Sequence, residues 1–320
     1  MSTSTQRAPG RFVHPAIFYR SPQEYLNALV PFIVDAVDSG YPALVAVPES
    51  NLALLGGALG DTANDVMMLD MARAGRNPGR ILGGVLSAFA DEHRDRPVRM
   101  IGEPIWVGRT AAEYPACVQH EALINFGFGK HSPFSGRDVT MLCAYDASSL
   151  EARVLSDARI THPVVWEDGS SQSLSPDYAP EEVLARYNEP LTNNPAAAAY
   201  AVQELTDLRR ARTFVARYGQ LLGLSPDRIV DLKVIATELA TNSLQYTDNG
   251  CRLALWHHDG HVVCEARDTG HLDDPLAGRR PPSSATSGGR GLFVINALAD
   301  LVRIHTHSDG TTIQAYLRRD

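Results

Sequence analysis

The sequence has few cysteines, no excess of positive charge and no long apolar run. Its four cysteines form no Cys-x-x-Cys pair, which argues against a zinc site and predicts free buried thiols. Lys and Arg number 29 against 37 Asp and Glu, and a net charge of −8 disfavours a broad nucleic-acid-binding surface. No apolar stretch reaches the roughly 18 residues that span a bilayer, and the N-terminus lacks an apolar signal core. We therefore expect a soluble, cytoplasmic protein that binds neither nucleic acid nor membrane directly.

The length and composition favour two globular domains. A chain of 320 residues exceeds the roughly 150 residues of an ordinary domain. It is 44% hydrophobic and 21% charged, which is enough apolar material for two cores.

Strands and helices alternate in the first half of the sequence. A helix begins at Ser21 with Pro22 in its first turn and Glu24 in a capping box, and Ser39-Gly40 ends it. Short apolar runs such as 43–47 are typical of strands covered on both faces. The alternation predicts a mostly parallel sheet between layers of helices. The other predicted elements are strands 66–69, 98–101 and 139–145 and helices 52–59, 81–93 and 110–126.

Turn-forming residues dominate the middle of the chain. Residues 167–195 are rich in Ser, Asn and Pro and show no sustained period, so they read as a linker that drapes over one domain. The predicted organisation is therefore a polar tail (1–10), a first domain (11–166), this linker and a second domain (196–320).

The second domain contains three polar motifs in a recurring order. Glu238 and Asn242, four apart on a predicted helix, project from one face. A hairpin that turns at Asp259-Gly260 ends on Asp268-Thr-Gly270, and a polar stretch leads into Gly289-Arg-Gly-Leu292 at a helix start. Each motif alone is common, as a solvated pair, a turn or a tight connection. The predicted elements are helices 205–222, 225–247 and 293–299 and strands 251–256, 262–267, 301–306 and 311–317.

Taken together, the three motifs resemble the boxes of the GHKL ATPase superfamily, and Gly310-Thr311 is similar to its looser fourth element. That superfamily includes gyrase, histidine kinases and the anti-sigma kinases. The resemblance implies a C-terminal two-layer α/β ATPase domain of the Bergerat type, which binds ATP and Mg²⁺. The stretch between Asp268 and Gly289 would then be the ATP lid.

The resemblance gives these residues roles that their chemistry suits. Asn242 would supply an amide oxygen to Mg²⁺, and Glu238 would act as general base. Asp268 would accept a hydrogen bond from the adenine amino group, and Gly270 would let the base approach the backbone. Backbone N–H groups at a helix start favour phosphates, although Arg290 reads equally well as a solvated lid residue. The remaining nucleotide-binding residues are Gly289, Arg290, Gly291, Leu292 and Thr311.

Within the superfamily, the sequence is most similar to the anti-sigma serine kinases of the RsbW and SpoIIAB type. Thr237-Glu-Leu-Ala-Thr-Asn-Ser243 resembles their Asn box, and no phospho-acceptor His helix precedes it. Two positions depart from the pattern. His271-Leu272 stand where many members have a second Gly, and Tyr246 stands where His is frequent. The first departure puts the lid hinge in question, but neither removes a proposed ligand.

The first domain resembles the MEDS sensory module, a RecA-like fold found fused to anti-sigma-type ATPase domains. The similarity rests on blocks spread over most of the domain. These blocks are His14-Pro-Ala-Ile-Phe-Tyr19, Gly102-Glu-Pro-Ile-Trp-Val-Gly-Arg109, His120-Glu-Ala-Leu-Ile-Asn125, Leu142-Cys-Ala-Tyr-Asp146 and Thr161-His-Pro163.

The phosphate-binding loop of RecA-like ATPases is absent from this domain. After the strand that ends at Val47, the chain reads Pro48-Glu-Ser-Asn-Leu-Ala, without the Gly pair, Lys or hydroxyl of that loop. The two resemblances together imply an α/β fold class, a degenerate RecA-like parallel-sheet sandwich followed by a GHKL domain, and the missing loop predicts no ATPase activity from the first half.

A set of polar residues in the first domain has two interpretations. It forms either a sensory pocket or an internal hydrogen-bond network that fixes helix 110–126 on the sheet. Arg109 and Glu113, four apart, predict a helix ion pair, Cys143 a small core residue and His162 a structural one. The set is Glu103, Trp106, Arg109, Glu113, His120, Glu121 and Asn125.

Three functions follow from the resemblance. The first is a cytoplasmic regulator whose ATP domain binds a sigma factor or phosphorylates Ser or Thr on a STAS-type antagonist protein. The second is a module in which ATP gates partner binding without phosphoryl transfer. The third is a histidine-kinase-like enzyme, which the missing acceptor helix disfavours. The signal, the individual partner and the formation of a homodimer are left open.

Overall fold

The chain folds into two compact units in a computed structural model that describes residues 11–129, 132, 134–167, 171–281 and 289–319. Unit 1 contains residues 1–76 and 85–185, and unit 2 contains residues 77–84 and 186–320. The predicted tail, residues 168–170 of the predicted linker and residues 282–288 of the predicted lid lie outside the described residues. Among the described helices, none has both the length and the apolar character needed to cross a membrane.

Unit 1 is built on an eight-stranded, mostly parallel sheet. The strand order is β4-β3-β5-β6-β2-β7-β8, with β1 also paired to β6, and among the described strands of this sheet β7–β8 alone is an antiparallel pair. Strands β2 and β3 are buried along their whole length, as continuous apolar runs predict. The strands are β1 (Phe12–Val13), β2 (Pro15–Tyr19), β3 (Ala43–Val47), β4 (Val66–Asp70), β5 (Val98–Gly102), β6 (Val139–Asp146), β7 (Val164–Glu167) and β8 (Ser171–Leu174).

Local chemistry sets the ends of the first helix. The Ser21 hydroxyl accepts a hydrogen bond from the Glu24 N–H at 3.1 Å, and Pro22 occupies the first turn, which confirms the predicted cap. The helices described in unit 1 are α1 (Pro22–Asp38), α2 (Glu49–Leu59), α3 (Met71–Ala74), α5 (Ala88–Glu92), α6 (Tyr114–Phe128), α7 (Ala152–Thr161) and α8 (Pro180–Arg186), the last ending one residue into unit 2. The short α4 (Pro78–Ile81) lies in unit 2.

Two predicted helices of this half differ from the structure. The helix expected over 81–93 is split, because residues 82–87 form a π-helical segment between α4 and α5. The helix expected over 110–126 begins only at Tyr114, because the Glu113 carboxylate folds back onto the N–H and hydroxyl of Thr110, at 2.8 and 2.9 Å. Arg109 therefore precedes the helix.

Unit 2 has a five-stranded antiparallel sheet with long helices packed on one face. The strand order is β12-β13-β11-β10-β9, and β9 is an edge strand that the sequence patterns did not predict. The elements are β9 (Ala198–Val202), α9 (Leu208–Leu221), α10 (Pro226–Tyr246), β10 (Cys251–His258), β11 (His261–Asp268), α11 (Arg290–Leu298), β12 (Leu301–His307) and β13 (Gly310–Arg318).

The predicted hairpin is confirmed and leads directly to the site. Asp259 and Gly260 connect β10 to β11 with φ of 43° and 76°, the left-handed pair that a two-residue turn requires. On its other side β11 pairs with β13, where Asp268, the last residue of β11, lies opposite Thr311.

Chain from the predicted linker lies along the end strands of this sheet. The Asn188 side chain donates to the Thr306 carbonyl at 2.8 Å and accepts from the Thr306 N–H at 3.1 Å. The Gln314 amide donates to the Thr192 carbonyl at 3.0 Å. These contacts agree with a segment that drapes over one domain, although β8 and α8 within residues 167–195 are regular structure that was not expected.

A short segment from the first half of the sequence belongs to unit 2. Residues Asn77–Gly84 pack against α11 and β12. Asn77 is fully buried, donates to the Asn296 carbonyl at 2.9 Å and accepts from the Val302 N–H at 3.3 Å. Sequence patterns do not predict this placement, because the predicted first domain is one continuous stretch.

Candidate functional site

Helix α10 carries three of the polar side chains that form the candidate nucleotide site. Its apolar stripe, which includes Leu232, Ile235 and Leu239, is buried against the sheet and fixes the rotation of the helix. Glu238 and Asn242 then lie half-buried beside that stripe, one turn apart as predicted.

Gly291 is the residue of α11 that faces this pair. A Cβ atom at Gly291 would lie 2.8 Å from Glu238 Oε2 and 3.0 Å from Asn242 Oδ1. Only a residue without a side chain allows α11 to come this close to α10. Two oxygen donors, a carboxylate and an amide, therefore meet at a concave point that a methyl group would fill, and such hard oxygen atoms are the ligands that Mg²⁺ prefers.

The start of α11 has the geometry of an anion-binding helix terminus. Gly289 caps the helix in the left-handed region with φ of 86°, and Arg290 is exposed in the first turn. The free N–H groups of that turn attract negative charge. Leu292 is buried in the core of unit 2, so its side chain anchors the helix.

Asp268 is held by α10 from the other side. Ser243 Oγ donates to Asp268 Oδ2 at 2.5 Å, and the Gly270 N–H donates to Asp268 Oδ1 at 2.9 Å. The Thr311 hydroxyl donates to the Gly270 carbonyl at 2.8 Å, which holds the turn after β11 on β13. Both carboxylate oxygens thus have a fixed direction and keep lone pairs for a further donor.

Six of the predicted residues therefore form two neighbouring groups beside α10. Glu238, Asn242 and Gly291 meet at the first, and Asp268, Gly270 and Thr311 meet at the second. Ser243, directly after Asn242, joins the groups through its bond to Asp268.

Sequence reasoning missed two contributors to the second group. Ser243 belonged to the quoted Asn box but received no role. Thr247 lies one turn further on, and its hydroxyl donates to the Ser243 carbonyl at 2.7 Å. The four-residue spacing between Ser243 and Thr247 was the available signal.

The polar residues of unit 1 do not form one cluster. Glu103 is buried and accepts hydrogen bonds from Tyr19 at 3.0 Å, Tyr25 at 3.4 Å and Asn51 at 2.7 Å. Burial raises the pKa of Glu103 to about 7, against the hydrogen bonds from Asn51, Tyr19 and Tyr25, which lower it. Asn51 lies in the first turn of α2, where a RecA-like ATPase would carry its phosphate-binding loop.

Arg109 forms a second, separate network. It donates to the backbone carbonyls of Gly75, Arg76 and Pro104, and pairs with Glu113 at 3.1 Å. Its guanidinium also lies over the Trp106 ring, 4.0 Å from the centroid. The ion pair is as predicted, but it closes a loop instead of stabilising a helix.

The remaining three residues of the set lie on α6. His120 and Glu121 are fully buried on α6, and Asn125 Oδ1 lies 3.1 Å from His14 Nδ1. All four cysteines are buried and free, as their spacing predicted.

Two family models match the chain. Residues 13–163 match the model described as the MEthanogen/methylotroph, DcmR Sensory domain, MEDS. Residues 201–317 match the model described as the histidine kinase-like ATPase domain.

A serine-protein kinase named RsbW, from Halalkalibacterium halodurans, is similar to part of the chain. It is 29% identical over 122 residues, which cover 34% of this chain and 75% of that kinase.

Two solved structures also resemble part of the chain. The RsbU and RsbW domains of a Mycobacterium tuberculosis protein match with 19% identity and a TM-score of 0.30, covering 40% of this chain and 33% of that one. The SiaB-SiaC complex from Pseudomonas aeruginosa matches with 13% identity and a TM-score of 0.31, covering 38% of this chain and 88% of that one.

Proposed function

From a chain that combines a MEDS domain with a histidine kinase-like ATPase domain, we propose a cytoplasmic regulator of the anti-sigma type. Its second domain binds ATP with Mg²⁺ and phosphorylates Ser or Thr on a STAS-type antagonist protein, or binds a sigma factor. The similarity to the serine-protein kinase RsbW supports this activity. The first domain, 11–166, is the sensor, and residues 167–195 link it to the ATPase domain, 196–320.

The observation that carries the proposal is the meeting of Glu238 and Asn242 at Gly291, with Asp268 bound to the next residue of the same helix. One helix thereby presents a base, an amide oxygen and, through Ser243, an acceptor for a nucleobase. The side chains fit Mg²⁺ and ATP by their chemistry.

Each residue then has a definite task. Asn242 holds Mg²⁺ through its amide oxygen, and the metal supplies charge neutralisation of the phosphates when bound. Glu238 accepts the proton of the attacking hydroxyl. Asp268 accepts from the adenine amino group, while Thr311 keeps the turn at Gly270 in place.

The N-terminus of α11 binds the phosphates. The N–H groups of Gly289, Gly291 and Leu292 and the exposed Arg290 favour negative charge there. Phosphoryl transfer of this kind depends on positioning and electrostatics more than on covalent chemistry by the protein.

The test is phosphoryl transfer from labelled ATP to candidate STAS partners by the full chain. Glu238→Gln should lower the transfer rate by roughly 10²–10⁴, because a general base typically contributes that much, while ATP still binds. Glu182→Gln, at an exposed position of α8, is the matched control and should leave the rate unchanged.

A second variant separates binding from chemistry. Asp268→Asn exchanges a carboxylate oxygen for a donor facing the adenine amino group, so ATP affinity itself should fall on the order of tenfold or more. If the partner binds in a nucleotide-dependent way but receives no label, the protein is an ATP-gated binding module and not a kinase. An acid-labile label on this chain would favour a histidine-kinase-like enzyme.

A further inference from the structure

Four fully buried side chains of unit 1 bring nitrogen, oxygen and sulfur donor atoms together. They are His14 before β2, Glu121 on α6, Cys143 on β6 and His162 at the end of α7, each at most 1% exposed. One donor atom from each lies within 4.8 Å of all the others. Nothing in the candidate nucleotide site, which lies in unit 2, accounts for this cluster.

Hydrogen bonds outside the cluster fix how both histidines are protonated. The Asn125 amide donates to the carbonyls of Thr161 at 2.8 Å and Ala122 at 3.1 Å, so its oxygen is turned to His14 and accepts from His14 Nδ1 at 3.1 Å. His162 Nδ1 lies 2.8 Å from the Ala158 carbonyl, which can only accept. Both rings therefore carry a hydrogen on Nδ1 and leave the Nε2 lone pair free.

These two lone pairs point to the same carboxylate oxygen. Glu121 Oε2 lies 3.4 Å from His14 Nε2 and 3.1 Å from His162 Nε2, and Cys143 Sγ lies 3.4 Å from His14 Nε2. Neither oxygen of Glu121 nor His162 Nε2 has a hydrogen-bond partner. The Cys143 thiol can donate to His14 Nε2, but Glu121 and His162 Nε2 are buried acceptors that face each other without a donor, which is costly.

Protonating both histidines is a poor remedy for this arrangement. The two imidazole rings lie only 4.1 Å apart between centroids, so two imidazolium ions would repel each other in a site without water access. A single cation placed among the four donor atoms would satisfy all of them at once.

We propose that His14, Glu121, Cys143 and His162 bind one divalent metal ion of the zinc class in a closed, tetrahedral site. Two imidazoles, a carboxylate and a thiolate are ligands that Zn²⁺ accepts, and together they neutralise its charge. Bond lengths of about 2.0–2.3 Å at tetrahedral angles separate ligand atoms by about 3.3–3.6 Å, close to the contacts present. Binding releases the Cys143 thiol proton to solvent.

Such a site would join four elements that are distant in sequence. The absence of a Cys-x-x-Cys pair speaks against zinc ribbons and fingers, but it does not bear on ligands collected from separate strands and helices. With four protein ligands and full burial, the ion would stabilise unit 1 and leave no open coordination position.

The test is metal binding by the full chain, purified under reducing conditions without chelator. We expect close to one zinc ion per chain by elemental analysis. After exchange to Co²⁺, we expect the intense visible bands of tetrahedral cobalt with a sulfur-to-metal charge-transfer band in the near ultraviolet. Cys143→Ser should abolish the charge-transfer band and weaken Zn²⁺ binding on the order of 100-fold. Cys264→Ser, at a buried thiol of unit 2, should change neither.

The outcomes separate clearly. Folded wild-type protein, checked by circular dichroism, that contains no metal and takes up neither Zn²⁺ nor Co²⁺ would overturn the proposal, whatever the variants do. An unchanged cobalt spectrum in Cys143→Ser would place the metal elsewhere and also overturn it. Both readouts are independent of ATP, so they do not depend on the proposed kinase.

Discussion

At the residue scale, the candidate nucleotide site depends on the absence of a side chain at Gly291. Gly291 lets α11 approach Glu238 and Asn242, and a Cβ atom there would lie within 3.0 Å of both. The role proposed for Glu238 therefore requires glycine, a residue without a side chain, at position 291.

Gly291→Ala tests this approach. Alanine favours a helix by about 1 kcal/mol over glycine, so the fold should hold. The methyl group should displace Asn242 and Glu238 and weaken Mg²⁺-dependent ATP binding on the order of tenfold, measured by titration calorimetry. Gly57→Ala on α2, where no atom lies within 4 Å of the new methyl group, is the control. Equal affinities in both variants would contradict the prediction.

A second residue-scale effect concerns Glu103 and pH. Its pKa is about 7 in the folded protein against 4.5 for the free side chain, so the folded state keeps a proton that the unfolded chain has lost. Between these two pKa values, the contribution of Glu103 to the free energy of unfolding falls as the pH rises. A shift of this size corresponds to about 3 kcal/mol lost from pH 4.5 to above pH 7.

Glu103→Gln should remove most of this pH dependence. Urea unfolding of unit 1 can be followed through Trp106 and Trp166 in a Trp256→Phe background at pH 5 and pH 8. Between pH 5 and pH 8 the parent should lose about 2–3 kcal/mol more stability, or gain that much less, than the variant. The Trp256→Phe protein alone is the reference, and a variant with the same pH dependence would rule out Glu103 as its source.

At the element scale, α11 is held at both ends of its buried face. Its first turn meets α10, and Asn296 further along is bound by Asn77 from the segment Asn77–Gly84. Asn296 in turn donates to the Gly278 carbonyl at 3.1 Å, within the predicted lid. The position of the proposed phosphate-binding turn thus depends on residues far from it in sequence.

Asn77→Ala should disturb this arrangement without touching the nucleotide site. It leaves the N–H groups of Gly79 and Val302 without their acceptor in a buried place, at a cost of about 2–3 kcal/mol. We expect a lower unfolding midpoint for unit 2 and faster amide exchange in α11. Asn27→Ala, exposed on α1, is the matched control. Unchanged exchange in α11 would show that Asn77 does not hold the helix.

At the scale of the whole molecule, the second unit is not a continuous piece of chain. Residues 186–320 make up most of it, but residues 77–84 complete it. A fragment that begins after the first domain lacks residues 77–84 and therefore part of the packing around α11.

The isolated fragment 186–320 should therefore be less stable than the same unit in the full chain. Without Asn77–Gly84, the buried Asn296 loses its partner and apolar surface of α11 becomes exposed. Limited proteolysis should cut α11 sooner in the fragment. A control fragment that restores residues 76–85 through a Gly/Ser linker should recover protection, and failure to recover it would show that the segment is dispensable.

Much of the fold was accessible from local patterns. The cap at Ser21, the turn at Asp259-Gly260 and the buried runs of β3 and β6 depend on neighbours within a few residues, where hydrogen bonding and apolar spacing are decisive. Strand β9 was missed because Ala-rich edge strands alternate weakly, and its pairing with β10 is a tertiary event.

By itself, the sequence determined the order of the α/β elements and the residue types of the candidate nucleotide site, since motif spacing on one helix is local. Only the tertiary structure decided that Gly291 meets Asn242, that residues 77–84 join the second unit, and that His14, Glu121, Cys143 and His162 converge. These meetings link residues tens to hundreds of positions apart. Strand order and helix packing, which no short-range period encodes, bring them together.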